Sequence, residues 1–186
     1  MSPTDPLVIC TEASRTFGSG QSAVVAVHGS TCEVGPGDRI AIAGPSGSGK
    51  STLLHLMAGL ELPTRGAVTW PSFSTVPSER AQEIGVVFQS PSLVPALDVA
   101  ENTALPLVLA GVSEGESRDR VAAALDLVGV SSLARKLPEE LSGGQAQRVA
   151  VARVLALRPR LVLADEPTGQ LDHATGQHLM DVLLTA

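Results

Sequence analysis

A glycine-rich segment at residues 44–51, GPSGSGKS, has the spacing G-x-x-x-x-G-K-S, between the apolar run DRIAIA and the helical pattern STLLHLMAG. Gly47 and Gly49 allow the backbone to curl so that successive N–H groups face phosphate oxygens, and the following helix adds the positive end of its dipole. Lys50 is then expected to reach the β- and γ-phosphates, and the Ser51 hydroxyl to ligate Mg²⁺. The motif therefore predicts a nucleotide site. Its residues are Gly44, Pro45, Ser46, Gly47, Ser48, Gly49, Lys50, Ser51 and Thr52.

A second segment, LVLADE at residues 161–166, predicts the acidic partner of that loop. It resembles a buried parallel strand that carries Asp165 at its carboxyl end, where ligands of open α/β sheets bind. Asp165 is expected to hold Mg²⁺ through water. Glu166, one residue further on, is placed to orient or deprotonate the water that attacks the γ-phosphate. The pair predicts hydrolysis as well as binding.

A third segment, LSGGQ at residues 141–145, opens another helix with exposed N–H groups and the Ser142 hydroxyl, which is a second place suited to a phosphate. The chain's own nucleotide already has its loop around Lys50. We therefore expect the second site to contact a nucleotide held by another copy, in a head-to-tail dimer. From these residues alone, an ordinary helix start is the open alternative.

The elements that position these motifs are predicted from hydrophobic periodicity. The first half predicts strands near 7–11, 23–27, 38–43, 66–70 and 84–88. After residue 97 apolar residues recur at helical spacing, and RLVLAD at 160–165 predicts one buried strand between helices. Such alternation is typical of a parallel α/β sheet. The Pro/Ser-rich stretch 71–79 predicts a surface loop, so we expect one core with insertions.

The composition limits the function further. The chain has 186 residues, a net charge of −6 and a pI of about 5.1, which disfavours a protein that grips nucleic acid through its phosphates. No apolar run approaches the roughly 20 residues of a membrane span, and the N-terminal sequence is unlike a signal peptide. We therefore expect a cytosolic chain. Cys10 and Cys32 do not have a metal-ligand spacing and are predicted to be small buried hydrophobes.

The order of the motifs GPSGSGKST, VVFQ, LSGGQ, LVLADEPT and GQLD resembles the ATPase subunit of ABC transporters over residues 5–186. The resemblance implies an α/β P-loop NTPase fold. Its RecA-like core has a parallel sheet, an antiparallel β lobe at the N-terminus and an inserted α-helical lobe. It also implies one ATPase domain, with the β lobe and phosphate-loop core in 5–90, the helical lobe in 91–140, and the signature helix and second acidic motif in 141–186. The cofactors implied are ATP and Mg²⁺.

The resemblance also assigns individual residues. Phe17 is expected to stack on adenine, although the family more often has Tyr there, and a core position for this Phe is the alternative. Gln89 is expected to touch Mg²⁺ and the attacking water, and Asp172 to be the acid of the D-loop. The signature sequence consists of Ser142, Gly143, Gly144 and Gln145.

A membrane-spanning permease is the partner that the resemblance implies, with the ATPase on the inner face of the cell membrane. Leu93–Leu97 are expected near the groove for the permease's coupling helix, and Lys136–Glu140 in a loop that senses it. Within the family, DEPTGQLD and the segment VAENTALPLVLAG at 99–111 look most like the lipoprotein-releasing and macrolide-exporting group.

Two alternatives are open. The first is a soluble ATPase of the same superfamily that acts on nucleic acid or the ribosome. It is disfavoured by the short separation of Lys50 and Ser142, which leaves no room for a long coiled coil, and by the missing C-x-x-C pairs. The second is a subunit that binds ATP but hydrolyses it poorly. After HATGQHLMDVLLTA the family continues with a strand ending in a histidine, so we expect a C-terminally truncated chain, with His173 and His178 as solvated helix residues.

Overall fold

The computed structural model describes residues 5–185, which fall into two compact units. The first includes the residues up to Arg80, and the second those from Ala81 onward. No helix among residues 5–185 combines the length and apolar character that a bilayer crossing requires.

The first unit is built on an antiparallel sheet of three strands in the order β2-β1-β3. These are β1 (Val8–Phe17), β2 (Val24–Val34) and β3 (Arg65–Thr69), with a short 3₁₀ turn at Gly20–Ser22. Helix α1 (Lys50–Ala58) buries Leu54, Leu56 and Met57. Val8 and Cys10 alternate with more exposed residues along β1, as expected for a sheet with one buried face.

The second unit combines a parallel pair of strands with four helices. Strands β4 (Ile84–Val87) and β5 (Leu161–Ala164) pair in parallel, from Ile84 opposite Leu161 to Val87 opposite Ala164. The helices are α3 (Val99–Leu109), α4 (Glu114–Leu127), α5 (Gly143–Leu157) and α6 (His173–Thr185). Their common core includes Leu107, Val121, Val149, Val151 and Leu179. The remaining helix, α2 (Pro77–Glu83), crosses the division between the units.

Local sequence explains where these helices begin. In a capping box, the Asp98 side chain accepts from the Glu101 N–H at 2.8 Å, and the Glu101 carboxylate accepts from the Asp98 N–H at the same distance. Ser113 caps α4 through the N–H of Glu116. These contacts satisfy N–H groups that lack a partner in the first helical turn.

Three expectations from the sequence need correction. Residues 38–43 do not form a strand, and Ile40 and Ile42 are exposed, because no strand within residues 5–185 pairs with them. Periodicity reports apolar side chains but not a hydrogen-bonded neighbour. The 71–79 segment is not only a loop, since α2 begins at Pro77, where proline suits the first helical turn. Cys32 is half-buried, whereas Cys10 is buried as expected.

Candidate nucleotide site

The phosphate loop lies in the first unit and leads directly into α1. Gly47 and Gly49 have φ angles of +78° and +88°, a left-handed conformation that glycine adopts without steric cost. A Cβ atom on Gly49 would lie 1.9 Å from the carbonyl oxygen of Ala26 on β2, so this position also requires the absence of a side chain. Gly49 is therefore required by both torsion and packing, and Gly47 by torsion alone.

Lys50 is the first residue of α1, and its side chain folds back over the loop. Its Nζ donates hydrogen bonds to the carbonyl oxygens of Gly44 at 3.0 Å and Pro45 at 2.9 Å. Phosphate oxygens compete well for such an ammonium group, because charge-assisted hydrogen bonds are stronger than those to neutral carbonyls. Ser51 and Thr52 follow in the first turn and are half-buried.

Phe17 is the last residue of β1 and lies opposite Val24 of β2. It is 39% exposed, so it is not a core residue. The ring is thus accessible for stacking, and it belongs to the same unit as the phosphate loop.

The carboxyl ends of β4 and β5 bring three predicted residues together in the second unit. Asp165 follows β5, is 9% exposed, and donates its backbone N–H to the Val87 carbonyl at 2.9 Å. Gln89 lies just beyond β4, and its Nε2 donates to Oε2 of Glu166 at 3.0 Å. Glu166 has a φ of +46°, which is unusual for a side chain of this type and marks a site of local strain.

The signature residues form the start of α5. Ser142 Oγ accepts from the Gln145 N–H at 3.2 Å, and Gln145 Oε1 accepts from the Ser142 N–H at 2.9 Å. This reciprocal cap rigidifies the turn and leaves the hydroxyl hydrogen of Ser142 as a donor. A cavity of about 380 Å³ opens here. It is lined by Ser142, Gly143, Gly144, Gln145, Arg148, Gln170, Leu171, Asp172 and Thr175.

The structure therefore places the predicted D-loop acid beside the signature. Asp172 accepts hydrogen bonds from the Thr175 N–H at 3.1 Å and from the Thr175 hydroxyl at 2.7 Å. These bonds, the side-chain bond first, lower the pKa of Asp172 below its ordinary value. Its carboxylate consequently stays ionised on the cavity wall.

Sequence reasoning did not identify Gln170, Arg148 or Arg153. A Cβ on Gly143 would approach Gln170 Oε1 to 2.3 Å, so Gln170 lies directly against the signature glycine. Arg153 donates to the carbonyls of Ser92 at 2.9 Å and Pro91 at 3.1 Å, and thereby holds the segment that follows Gln89. No local sequence pattern predicts these contacts, because each of them joins segments that are distant in sequence.

His173 and His178 are exposed on α6, as expected. His178 is not simply solvated, however, because its Nε2 lies 3.2 Å from the carbonyl oxygen of Leu127.

Comparison with known proteins agrees with this arrangement. The ABC transporter family model matches residues 27–169. An uncharacterized ABC transporter ATP-binding protein of Mycobacterium tuberculosis H37Rv is 45% identical over 186 residues, covering 96% of this chain and 75% of that protein. The lipoprotein-releasing system ATP-binding protein LolD of Legionella pneumophila strain Lens is 42% identical, covering 91% and 78%.

Among solved structures, the dimeric ATP-binding cassette MJ0796 in a post-hydrolysis state with ADP and Pi has a TM-score of 0.87. It is 36% identical, and the match covers 95% of this chain and 81% of that one. The fold and the motifs define a P-loop ATPase. More specifically, this chain belongs to the ABC transporter family, as one of its ATP-binding cassettes.

The family assignment confirms the predicted fold class, the ATPase class and the resemblance to lipoprotein-releasing subunits. The roles given to individual residues stay predictions, and so do the domain boundaries at 90 and 140.

Proposed function

We propose that this chain binds Mg·ATP and hydrolyses it within a head-to-tail dimer, and that this cycle drives a separate membrane-spanning permease. The observation that carries the hydrolytic part is the hydrogen bond between Gln89 and Glu166, one residue from the buried Asp165. It gives a carboxylate fixed orientation beside a metal-ligating position. That is the arrangement required to position a water molecule and accept its proton.

Gln89 and Asp165, both in the second unit, are the proposed Mg²⁺ ligands there and offer an amide oxygen and a carboxylate. The Ser51 hydroxyl is the ligand that the phosphate-loop motif predicts in the first unit. This all-oxygen set fits Mg²⁺, which is usually held by one or two carboxylates, waters and the phosphates of the substrate. A bound ion would neutralise negative charge on the phosphates.

The dimer follows from the signature cavity. Its wall combines the Ser142 hydroxyl, the glycine N–H groups at the start of α5 and the Arg148 side chain, which favour an anion, with the Asp172 carboxylate, which opposes one. Because the chain's own phosphate loop surrounds Lys50, we assign this cavity to the γ-phosphate held by a second copy. The relative MJ0796 is dimeric, which supports the assignment.

The permease contact is proposed for the amino end of α3. The Val99 N–H donates to the Lys136 carbonyl at 3.0 Å, so the predicted sensing loop Lys136–Glu140 is tied to the end of the Leu93–Leu97 segment. In that segment the Val94 side chain is 36% exposed. We place the chain on the inner face of the membrane through this contact.

The permease contact has its own test. Val94→Asp is expected to abolish co-purification of the chain with a membrane-spanning protein while its ATPase rate is unchanged. Val76→Asp, at an exposed valine of the first unit, is the control and should not alter retention. Retention of the Val94 variant would contradict the location, and failure of the unmodified chain to co-purify with any membrane protein would contradict the permease partner.

The central test is Glu166→Gln. The amide keeps the size of the side chain but cannot accept a proton, so we expect ATP binding to persist and turnover to fall by about 10²- to 10⁴-fold. The unhydrolysed ATP should hold two copies together as a dimer, which size-exclusion chromatography with Mg·ATP detects. Glu33→Gln, an equivalent charge change at an exposed position of β2, is the control.

The two parts of the proposal can fail separately. Full turnover in the Glu166 variant would remove Glu166 as the base. A variant that binds ATP, does not hydrolyse it and stays monomeric would instead contradict the head-to-tail dimer.

A further inference from the structure

Arg15 lies beside Phe17, the residue expected to stack on adenine, and makes a contact on each side. Arg15 and Phe17 are two positions apart on β1, so their side chains lie on the same face of the strand. The Cζ atom of Arg15 lies 4.7 Å from the centroid of the Phe17 ring, within the range of a cation–π contact. The guanidinium therefore lies over one face of the ring, while Phe17 as a whole stays 39% exposed.

The other side of Arg15 is held by Glu61. An Nη2 atom of Arg15 lies 2.6 Å from Oε2 of Glu61, and both side chains are only 25% to 33% exposed. Glu61 is in turn fixed to the end of α1, because its N–H donates to the His55 carbonyl at 3.3 Å. The same helix begins at Lys50. Arg15 thus connects the aromatic ring to the helix whose first turn holds the phosphates.

Backbone contacts strengthen this connection. The Thr64 N–H donates to the Ser14 carbonyl at 2.7 Å, and the Thr16 N–H donates to the Thr64 hydroxyl at 3.0 Å. The segment that follows α1 is therefore attached to β1 on both sides of Arg15. All of these residues belong to the first unit.

The residue type at position 15 indicates what the side chain does, because arginine and lysine differ in this setting. The Nε of Arg15 is buried and lacks a hydrogen-bond partner within the described residues, which is unfavourable for a group needed only to form an ion pair. Lysine would pair with Glu61 without that unsatisfied N–H. The planar guanidinium, unlike an ammonium, can also lie flat on an aromatic ring, and this geometry points to the stack as its role.

We propose that Arg15 is a positioning residue for the nucleobase: held by Glu61, it fixes the Phe17 ring at a set distance from the phosphate loop so that a purine can stack on the ring's free face. This inference rests on the proposed function, because it requires the chain to bind ATP. Arg15 does not contact the phosphates in this scheme, so its contribution should depend on the presence of a base.

The test compares two ligands by isothermal titration calorimetry on the full chain: Mg·ATP and inorganic tripolyphosphate with Mg²⁺. Tripolyphosphate has the phosphates but not the base. Arg15→Gln is expected to weaken ATP binding by roughly threefold to tenfold, the range of a partly desolvated cation–π contact, and to leave tripolyphosphate binding unchanged. Glu61→Gln should show the same selectivity to a smaller extent.

A double-mutant cycle isolates the positioning role. Phe17→Ala is expected to weaken ATP binding by roughly tenfold or more, as for loss of a base-stacking ring. In that background Arg15→Gln should have no further effect, because the ring that it positions is gone. Arg65→Gln, at an exposed arginine of the neighbouring strand β3, is the matched control and should bind both ligands normally.

The outcomes separate the two levels of the proposal. If the unmodified chain binds neither ligand, the proposed function and this inference both fail. If the unmodified chain binds both, the inference alone is overturned by an Arg15 variant with normal ATP affinity, by equal losses for the two ligands, or by additive effects of the Arg15 and Phe17 changes.

Discussion

Substitution of Gly49 by alanine is the most direct test of the geometry of the phosphate loop. In Gly49→Ala the new Cβ would lie 1.9 Å from the Ala26 carbonyl oxygen, whereas real contacts of this kind essentially never fall below 3.0 Å. The loop or strand β2 must therefore move by about 1 Å or more, at a cost typical of overpacking, about 1–3 kcal/mol. Alanine at a φ of +88° adds about 1–2 kcal/mol of backbone strain.

The first unit provides its own control, because Gly47 has a similar φ of +78° but nothing within 4 Å of a Cβ. Gly47→Ala should lose only the torsional part, about 1–2 kcal/mol, and Gly49→Ala about 2–5 kcal/mol. Denaturant unfolding monitored by Trp70 fluorescence measures the difference between the two variants. Equal losses of unfolding free energy would refute the packing of the loop against β2.

Three other predictions concern single side chains. Lys50→Ala should weaken ATP binding strongly, because the phosphates lose their close cation; a titration with labelled ATP measures it, and normal affinity would contradict the assignment. Burial and the neighbouring Cys32 thiol raise the pKa of Cys10 from 9.0 to about 12. Iodoacetamide at neutral pH should therefore modify Cys32 first and Cys10 only after denaturation. Mass spectrometry of the modified chain measures this order. The protonated Cys10 favours the folded state below pH 9, and this contribution is lost as the pH rises through about 12. Thr175→Val should raise the pKa of Asp172 towards its ordinary value because the side-chain hydrogen bond is removed, which an NMR titration would detect.

The motifs selected residues that the structure brings close together in the second unit, whereas periodicity predicted one strand that does not form. Asp165 was predicted at the carboxyl end of a strand because it follows an apolar run. Gln89 was assigned only by the family resemblance, and the structure brings it to Glu166, next to Asp165. The prediction of a strand at 38–43 failed, since a strand depends on a partner that the local sequence does not specify. Gln170 was missed because its contact with Gly143 joins the start of α5 to a turn distant in sequence, and its residue type carries no signal.

Helix α5 shows why the signature and the segment after Gln89 should respond together. The helix begins at the signature, and three of its side chains bind backbone carbonyls elsewhere in the second unit. Gln147 Nε2 donates to Phe88 at 3.4 Å, and Arg148 donates to Val128 and Gly129 at 3.1 Å each. Arg153 holds the chain just beyond Gln89 through two further carbonyls.

All of these donors lie on one helix, so a displacement of α5 must either carry the segment around Gln89 with it or break several of these hydrogen bonds. The bond from Gln89 to Glu166 extends the same connection to the proposed base. A phosphate bound at the signature by a second copy would thus act, through α5, on the residue that orients the attacking water. Helix α5 with its three tethering side chains is thus a contiguous set of contacts between the two sites, and coupling through it requires that both sites bias one two-state element.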